Sequence, residues 1–368
     1  MLGDATLDRL RRLVVLESPS GDEPRLRAVA GDLAAELAAI GADVDTLVVP
    51  GIGEHVIARV EGRENRAEPV LVLAHLDTVH PAGSFDPVFV VEDGRARGPG
   101  TFDMKGGLAC MVEALALFHR RGVAPRRPVT LLATCDEETG SASSRGLIEE
   151  TARKAHVVLV PEPPLPDGGA KTSRKGVGVY RLNVQGRASH AGLDPAAGVN
   201  ALLELAHQIL AVTALADPGA GTTISVGEAG GGTASNVVPA TAWATVDVRF
   251  RSRVEGERVD RAIRGLRPRL QGARLSLEGG INRGPLERTE AIAALYSRAR
   301  DLAERDGWRL GEGSSGGASD GSLTSALGVP TLDGIGPAGA GAHSSDEHVL
   351  VDDLPRRVRL YGRLLESL

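Results

Sequence analysis

Short apolar runs alternate with amphipathic stretches along the first 160 residues of the chain. Runs that are apolar at nearly every position are typical of strands buried on both faces of a parallel sheet, and apolar residues at helical spacing predict helices. The predicted strands are 43–49, 55–60, 70–74, 129–135 and 157–160, and the predicted helices are 6–16, 23–40, 104–121 and 141–154. Strands that alternate with helices indicate an α/β sheet, parallel in good part and covered on both faces.

The pattern changes near Lys171. The order strand, helix, strand, strand, helix, strand is predicted over 177–185, 199–212, 222–227, 241–250, 255–266 and 273–278. These strands alternate apolar and polar residues, which is typical of half-exposed strands in an α+β unit. A helix (291–305), a Gly-Ser loop, a helix (322–327), a strand (330–332) and a helix (354–365) follow. We therefore predict a catalytic domain made of 1–175 and 285–368, interrupted by an inserted domain at 176–284.

The composition excludes several classes of protein. Hydrophobic residues make up 42% and charged residues 24% of the 368 residues, as in ordinary globular proteins. The net charge of -6, with 3% aromatic residues and no basic patch, argues against a nucleic-acid partner. No apolar run approaches the roughly 18 residues that a membrane helix needs, and no signal peptide is recognisable. With Cys110 and Cys135 interpreted as reduced core residues, we expect a cytoplasmic protein.

Acidic and histidine side chains follow the ends of four predicted strands, and one more acid lies in a Gly-rich turn. They are His75 and Asp77, Glu137 and Glu138, Glu162, His343, and Asp103 of the turn GPGTFDMKGG. In open α/β sheets the carboxyl ends of the strands line the ligand crevice. Each residue alone has a simpler explanation: a core histidine, a helix N-cap for Asp103, or solvated loop and turn residues for the glutamates. Together they predict a metal site.

Counting ligands predicts two metals. The five candidate ligands are His75, Asp103, Glu138, Glu162 and His343. If Asp103 bridges, each metal has three protein ligands, which leaves the open position of a catalytic zinc site. A structural zinc site is disfavoured because the sequence has no cysteine cluster. Glu137 remains beside the metals, where a carboxylate can take a proton from the bridging water and give it to the leaving amine.

Motifs along most of the chain resemble the zinc aminoacylase/carboxypeptidase metallopeptidases. This group contains acetylornithine deacetylase, succinyl-diaminopimelate desuccinylase and bacterial glutamate carboxypeptidase. The matching stretches are AHLDTV, GPGTFDMKGGLA, DEETGS, PEP, GRASHAG, SNVVPA, VDVRF, GGASDG and GAHSSDEHV. Three stretches, GRASHAGLDPAAGVNAL, SNVVPATAWATVDVRF and the PRRV of the last helix, are most similar to the glutamate carboxypeptidase branch.

The resemblance implies a role for each site residue of the catalytic domain. One zinc would be held by His75, Asp103 and Glu162, and the other by Asp103, Glu138 and His343. Asp77 would orient His75, and Glu137 would be the general acid and base. Cobalt and manganese are alternatives to zinc. The implied fold is a di-zinc peptidase domain with a mixed, mostly parallel sheet covered by helices, interrupted by a small α+β dimerisation (lid) domain.

The resemblance also implies that the inserted domain dimerises and contacts substrate. His190 would help to polarise the scissile carbonyl, with Asn236 nearby, in its own subunit's site or in its neighbour's. Arg249 matches an arginine that binds the substrate carboxylate, and Arg174 and Lys175 are further candidate carboxylate contacts. The simpler explanations are a loop histidine for His190, a surface arginine for Arg249 and solvated hinge charges for Arg174 and Lys175.

The sequence therefore predicts a di-zinc hydrolase that cleaves an amide or peptide bond next to a free carboxylate, like glutamate carboxypeptidase. Its substrate would be a small peptide or an N-acyl amino acid. An N-acyl-amino-acid deacylase similar to acetylornithine deacetylase is the alternative, and a catalytically silent metal-binding homologue is a remote one. The secreted members of the glutamate carboxypeptidase branch carry signal peptides, and this chain departs from them.

Overall fold

The computed structural model describes residues 2–368, which fold into two compact units. The first unit comprises the chain up to Ser173 together with Arg288–Ser315 and Ser319–Leu368. The second comprises Arg174–Glu287 and Gly316–Ala318. The second unit is thus slightly longer at both ends than the insertion predicted at 176–284, and it also takes in a tripeptide that the sequence did not assign to it.

The helices and strands of the described residues have the following bounds. The helices are α1 (Leu2–Val15), α2 (Glu23–Ala39), α3 (Gly106–Arg120), α4 (Arg145–Ala152), α5 (Ala201–Thr213), α6 (Arg253–Arg264), α7 (Glu290–Arg305), α8 (Gly321–Ala326) and α9 (Leu354–Ser367). The strands are β1 (Asp43–Val49), β2 (Gly53–Val60), β3 (Val70–His75), β4 (Val90–Glu92), β5 (Arg95–Arg97), β6 (Val129–Thr134), β7 (Val157–Val160), β8 (Ala170–Arg174), β9 (Gly176–Gln185), β10 (Thr223–Gly231), β11 (Thr241–Phe250), β12 (Arg274–Arg283), β13 (Glu312–Ser315), β14 (Thr331–Asp333), β15 (Gly339–Ala340) and β16 (His348–Leu350).

A mixed sheet forms the centre of the first unit. In the described part of the chain its strand order is β1-β2-β6-β3-β7-β14-β8-β13. The central strands β6, β3, β7 and β14 are parallel to one another, whereas β1 and β2 are antiparallel. The predicted α/β class is therefore confirmed. Because parallel strands end at the same edge of a sheet, the residues that follow β3, β6 and β7 lie near one another.

Strand β3 shows why the sheet is covered on both faces. Its alternate residues Val70, Val72 and Ala74 belong to a buried cluster that also includes residues of α1, α2, α3 and α9. The residues between them, Leu71 and Leu73, belong to a second cluster with residues of α4 and α8. Successive side chains on a strand point to opposite faces, so a strand buried on both sides is apolar throughout. This is the pattern from which the strand was predicted.

Several short strands were not predicted. Strands β15, β16, β5 and β4 form a small sheet, in that order. Each has only two or three residues, which is too short to show a period of two. The pairing of β16 with β5 brings the segment after His343 against the segment before Asp103. Strand β13 was also missed, because it lies in the Gly-Ser run that the sequence predicts as a loop.

The predicted helix at 141–154 begins only at Arg145. The reason lies in the preceding loop, where Ser141 has a left-handed backbone conformation (φ 57°) and the side chain of Asp136 accepts hydrogen bonds from backbone N–H groups. Its Oδ2 accepts from the backbone N–H of Ser143 at 2.7 Å and from that of Ser144 at 3.3 Å. The hydroxyl of Ser143 donates to the same oxygen at 2.7 Å. This carboxylate therefore holds the loop that carries Glu137.

The second unit is an antiparallel sheet of order β10-β11-β9-β12 with α5 and α6 packed on it. Its elements follow the order that the sequence predicts. Along β11, alternate residues such as Ala244, Val246 and Val248 are buried in a cluster with residues of both helices, and the residues between them are partly exposed. No helix within residues 2–368 is long and apolar enough to cross a membrane.

Candidate metal centre

His75 is the last residue of β3, and its ring is almost completely buried. Its Nδ1 lies 2.9 Å from the backbone carbonyl oxygen of Asp77, which fixes the orientation of the ring. Its Nε2 lies 3.3 Å from Oδ1 of Asp103 and 3.4 Å from Oε1 of Glu162. Glu162 follows β7, the parallel neighbour of β3. Two carboxylates thus converge on one imidazole nitrogen.

Asp103 also faces a second imidazole. Its other oxygen, Oδ2, lies 3.5 Å from Nε2 of His343. The same nitrogen lies 3.3 Å from Oε2 of Glu138, in the loop that follows β6. Asp103 therefore directs one oxygen toward each of two histidines, and each histidine has one further carboxylate of its own. A carboxylate that bridges two metals requires this arrangement.

The donors fit a divalent cation. Nitrogen and carboxylate oxygen ligands without cysteine suit catalytic zinc, and cobalt and manganese accept the same donors. One ligand atom from each of His75, Asp103 and Glu138 lies within 4.8 Å of the others. Oε1 of Glu138 is buried and has no hydrogen-bond partner among the described residues. A buried carboxylate oxygen without a donor needs a positive charge nearby, which a bound metal would supply.

The charges of the cluster shift its pKa values strongly. Burial lowers the pKa of His75, but the neighbouring carboxylates of Asp103, Asp77 and Glu162 outweigh it and raise the pKa well above its ordinary value. A hydrogen bond to Asp103 raises the pKa of His343 to about 9. Burial, reinforced by the charge of Asp103, raises the pKa of Glu138 to about 7. The cluster therefore favours positive charge among its carboxylates.

Asp77 has a wider role than the sequence predicts. Its carboxylate oxygen Oδ1 is 3.5 Å from Nδ1 of His75, farther than its own backbone carbonyl oxygen. Instead, Oδ1 accepts the backbone N–H of Glu137, and Oδ2 accepts that of Glu138, both at 3.2 Å. The hydroxyl of Ser20 donates to Oδ2 at 2.8 Å. The Asp77 backbone therefore orients the histidine, and its carboxylate holds the loop that carries Glu137 and Glu138.

Two residues that the sequence did not single out support Asp103. The carboxylate of Glu347 accepts the backbone N–H of Asp103 at 2.8 Å and lies 2.6 Å from Nε2 of His80. Glu347 lies in the motif stretch GAHSSDEHV, and His80 directly follows the stretch AHLDTV. Their contacts join positions more than 240 residues apart in sequence, so no local spacing indicates them.

The second unit holds His190 and Asn236 side by side. The backbone N–H of Ala191 donates to the backbone carbonyl oxygen of Asn236 at 2.9 Å. Nδ1 of His190 accepts the backbone N–H groups of Gly192 and Leu193, both at 3.1 Å. Because Nδ1 accepts, a neutral ring carries its proton on Nε2. His190 is exposed and therefore presents an N–H donor to solvent.

The cationic candidates of the second unit differ in their surroundings. Nε and Nη2 of Arg249 donate to the two carboxylate oxygens of Asp247, both at 2.8 Å. Burial, reinforced by the charges of Arg251 and Arg249, lowers the pKa of Lys175. Arg174 is buried, and its Nη1 donates to backbone carbonyl oxygens at 3.3 Å in the tripeptide Gly316–Ala318, so it is not a solvated hinge charge.

Comparisons with known proteins identify the family of the chain. Residues 71–367 match the model of peptidase family M20/M25/M40. The chain is 32% identical to carboxypeptidase G2 of Pseudomonas sp. strain RS-16, over 99% of this chain and 89% of that protein. It is also 32% identical to succinyl-diaminopimelate desuccinylase of Methylorubrum populi, over 91% of each chain. The crystal structure of aminopeptidase PepT from Bacillus cereus superposes with a TM-score of 0.82 at 20% identity, covering 99% of this chain and 98% of that one.

The chain therefore belongs to peptidase family M20/M25/M40, as its motifs predict. Since the family and these relatives are metallohydrolases, the protein is a hydrolytic enzyme.

Proposed function

We propose that this enzyme is a two-metal hydrolase that cleaves an amide or peptide bond next to a free carboxylate, in the manner of a carboxypeptidase. The observation that carries the proposal is the position of Asp103, whose two oxygens face His75 and His343 separately. With Glu162 on one side and Glu138 on the other, each half of the cluster has three candidate ligands, the number that a catalytic zinc site uses beside its water.

We expect one zinc ion in each half, and cobalt or manganese would use the same ligands. When bound, such metals lower the pKa of a water molecule and stabilise the oxyanion that develops on the substrate. Glu137 lies mostly buried in the loop fixed by Asp77, next in sequence to the ligand Glu138. Its carboxylate takes a proton from the attacking water and passes it to the leaving amine.

The second unit supplies candidate groups for the substrate carboxylate and carbonyl. Arg249 pairs with Val177, two residues after Lys175, so the two cations lie near the same end of the β9–β11 pair. The guanidinium of Arg249 matches a carboxylate with two parallel hydrogen bonds, as its pairing with Asp247 illustrates. His190, with its proton on Nε2, would donate to the scissile carbonyl oxygen, and Asn236 lies beside it.

We also propose that the enzyme is a homodimer formed through the second unit. Helix α5 exposes three leucines, Leu202, Leu203 and Leu210, the last of them 69% exposed. Strand β10 lies at the edge of the sheet on which α5 packs, so one side of it has no strand partner among the described residues. A second copy would cover both features.

A cytoplasmic location stays a prediction, in keeping with buried free thiols at Cys110 and Cys135.

A deacylase that releases an amino acid from its N-acyl form is the second candidate. It is favoured by the likeness to succinyl-diaminopimelate desuccinylase, which is as identical to this chain as carboxypeptidase G2 is. The metal cluster and Glu137 would do the same chemistry in both reactions. A panel of dipeptides and N-acyl amino acids, assayed with zinc, cobalt and manganese in turn, distinguishes them by which member gives the highest kcat/KM.

The test of the proposal is the substitution Glu137→Ala. We expect turnover to fall by roughly 10²–10⁴-fold, as for loss of a general base, while the metal content stays near two per chain. The matched control is Glu150→Ala, at an exposed glutamate of α4 that pairs with Lys154, and it should behave like wild type. A wild-type rate in Glu137→Ala would disprove the assigned role, and a wild-type protein that binds metal yet hydrolyses nothing in the panel would instead be the silent homologue.

A further inference from the structure

We infer that Glu347 is the positioning residue for Asp103 and thereby keeps both halves of the metal cluster assembled; the inference rests on the proposed two-metal function. Glu347 is fully buried. Its Oε1 accepts hydrogen bonds from the backbone N–H groups of Phe102 and Asp103, both at 2.8 Å. Its Oε2 accepts from the N–H of Gly100 at 3.0 Å and lies 2.6 Å from Nε2 of His80.

These contacts use the whole hydrogen-bonding capacity of the side chain, because an ionised carboxylate offers about four lone-pair sites. Three of the four donors belong to the turn that carries Asp103. The turn leaves helical geometry at Asp103 itself, so the helix that follows does not determine where this residue lies. Its backbone position depends instead on the buried carboxylate that receives its N–H groups.

The same residue also anchors the loop that carries His343. The backbone N–H of Glu347 donates to the carbonyl oxygen of Ser344 at 3.2 Å. Its own carbonyl oxygen accepts the N–H of Gly98 at 3.4 Å. The next three residues form β16, which pairs with β5. One residue thus ties together the segments of two predicted ligands, Asp103 and His343, which face each other across 3.5 Å.

A bridging ligand is more sensitive to such support than a terminal one. Oδ1 of Asp103 faces His75 while Oδ2 faces His343, so a shift of the backbone that favours one contact weakens the other. In Glu347→Gln, the amide keeps only one of the two acceptor oxygens, and its NH₂ group faces either the N–H of Gly100 or the N–H groups of Phe102 and Asp103. Two donors then meet, and the turn must move to separate them.

A purely structural role for Glu347 makes a different prediction, and a matched variant separates the two. Glu204 in α5 is also fully buried, and its carboxylate also accepts backbone N–H groups, those of Arg269 and Leu270 at 2.6–3.0 Å. It accepts the side-chain amide of Gln208 as well, and it lies in the second unit. Glu204→Gln therefore reproduces the chemical change at a position that holds no predicted metal ligand.

The experiment measures zinc binding rather than activity. Wild type, Glu347→Gln and Glu204→Gln are prepared metal-free, titrated with zinc against a chromophoric chelator, and melted with and without zinc. Both variants should melt at a lower temperature than wild type when metal-free. Only Glu347→Gln should lose zinc affinity, by roughly 10–100-fold as for other groups that orient a metal ligand, and its stoichiometry should fall below that of wild type.

If Glu347→Gln binds zinc with the affinity and stoichiometry of wild type, the inference is wrong and the proposed function still stands. A wild-type chain that binds no zinc would overturn the inference and the proposed function together. If Glu347→Gln does not fold, His80→Leu takes its place, since it removes one donor and keeps the carboxylate. That variant should show a smaller fall in zinc affinity, and an unchanged affinity would count against the positioning role.

Discussion

Asp77→Asn is expected to impair catalysis through the loop that carries Glu137. The wild-type carboxylate receives the N–H of Glu137 on Oδ1 and the N–H of Glu138 on Oδ2. The amide of asparagine keeps one oxygen and replaces the other with an NH₂ group of nearly the same size. In either orientation, one of the two N–H groups therefore loses its acceptor and faces another donor.

The size of the effect follows from that count. Leaving one buried donor unpaired costs about 1–3 kcal/mol, and a hydrogen bond to a charged acceptor contributes about 1.5–3 kcal/mol. The variant should therefore lose about 2–4 kcal/mol of the free energy that holds the loop in its catalytic position. If the whole of this loss raises the free energy of the transition state, kcat/KM falls roughly 30- to 900-fold. Ser20→Ala removes the hydroxyl that donates to the same carboxylate and leaves both N–H bonds intact. Losing that one hydrogen bond to a charged acceptor costs about 1.5 kcal/mol, or roughly tenfold, because Ser20 is only partly buried.

The assay is kcat/KM at saturating zinc for the best substrate of the panel, with the metal content of each variant measured by elemental analysis. Saturating zinc separates a misplaced Glu137 from simple loss of metal, because Glu138 of the same loop is a predicted ligand. If Asp77→Asn lost no more activity than Ser20→Ala, the two N–H bonds would not be what positions the loop, and the reasoning would be refuted.

Three further predictions concern ligands, assembly and specificity. His75→Ala and His343→Ala should each lose about one of two metals, and chelators should inactivate wild type reversibly; full occupancy by elemental analysis would remove that histidine from the ligand set. Leu210→Asp should shift a dimer toward monomer in light scattering, and an active wild-type monomer at assay concentration would contradict the dimer. Arg249→Lys and Arg249→Ala should both lose most activity, because the point charge of a lysine does not replace the planar fork of an arginine. If wild type and Arg249→Ala prefer the free-acid substrate over the amidated one to the same degree, Arg249 is not the carboxylate contact.

Much of the fold was predictable because its signals are local. The unbroken apolar run before His75 indicates a strand buried on both faces, and β3 is such a strand. Elements defined by partners distant in sequence were missed. Strands β5 and β16 have three residues each and exist because they pair with each other. The late start of α4 depends on a side chain, that of Asp136, which takes up the N–H groups of the loop.

The candidate site divides in the same way. Residues after strand ends, such as His75 and Glu162, could be predicted because the edge of a parallel sheet gathers whatever follows its strands. Glu347 could not, since its function depends on N–H groups about 245 positions away. The pairing of Arg249 with Asp247 was within reach of the sequence, because residues two apart on a strand share a face.

The interruption of the first unit has a consequence for how the protein is made. Strand β7 is apolar along its length and lies between β3 and β14 in the sheet, yet β14 follows the whole second unit in sequence. On the ribosome, β7 emerges while the side that β14 will cover has no partner, and it stays so until the inserted segment has been translated. An open apolar strand edge invites pairing with other chains. Nascent chains of this enzyme therefore pass through an interval in which a chaperone that shields strand edges would raise the yield of native protein.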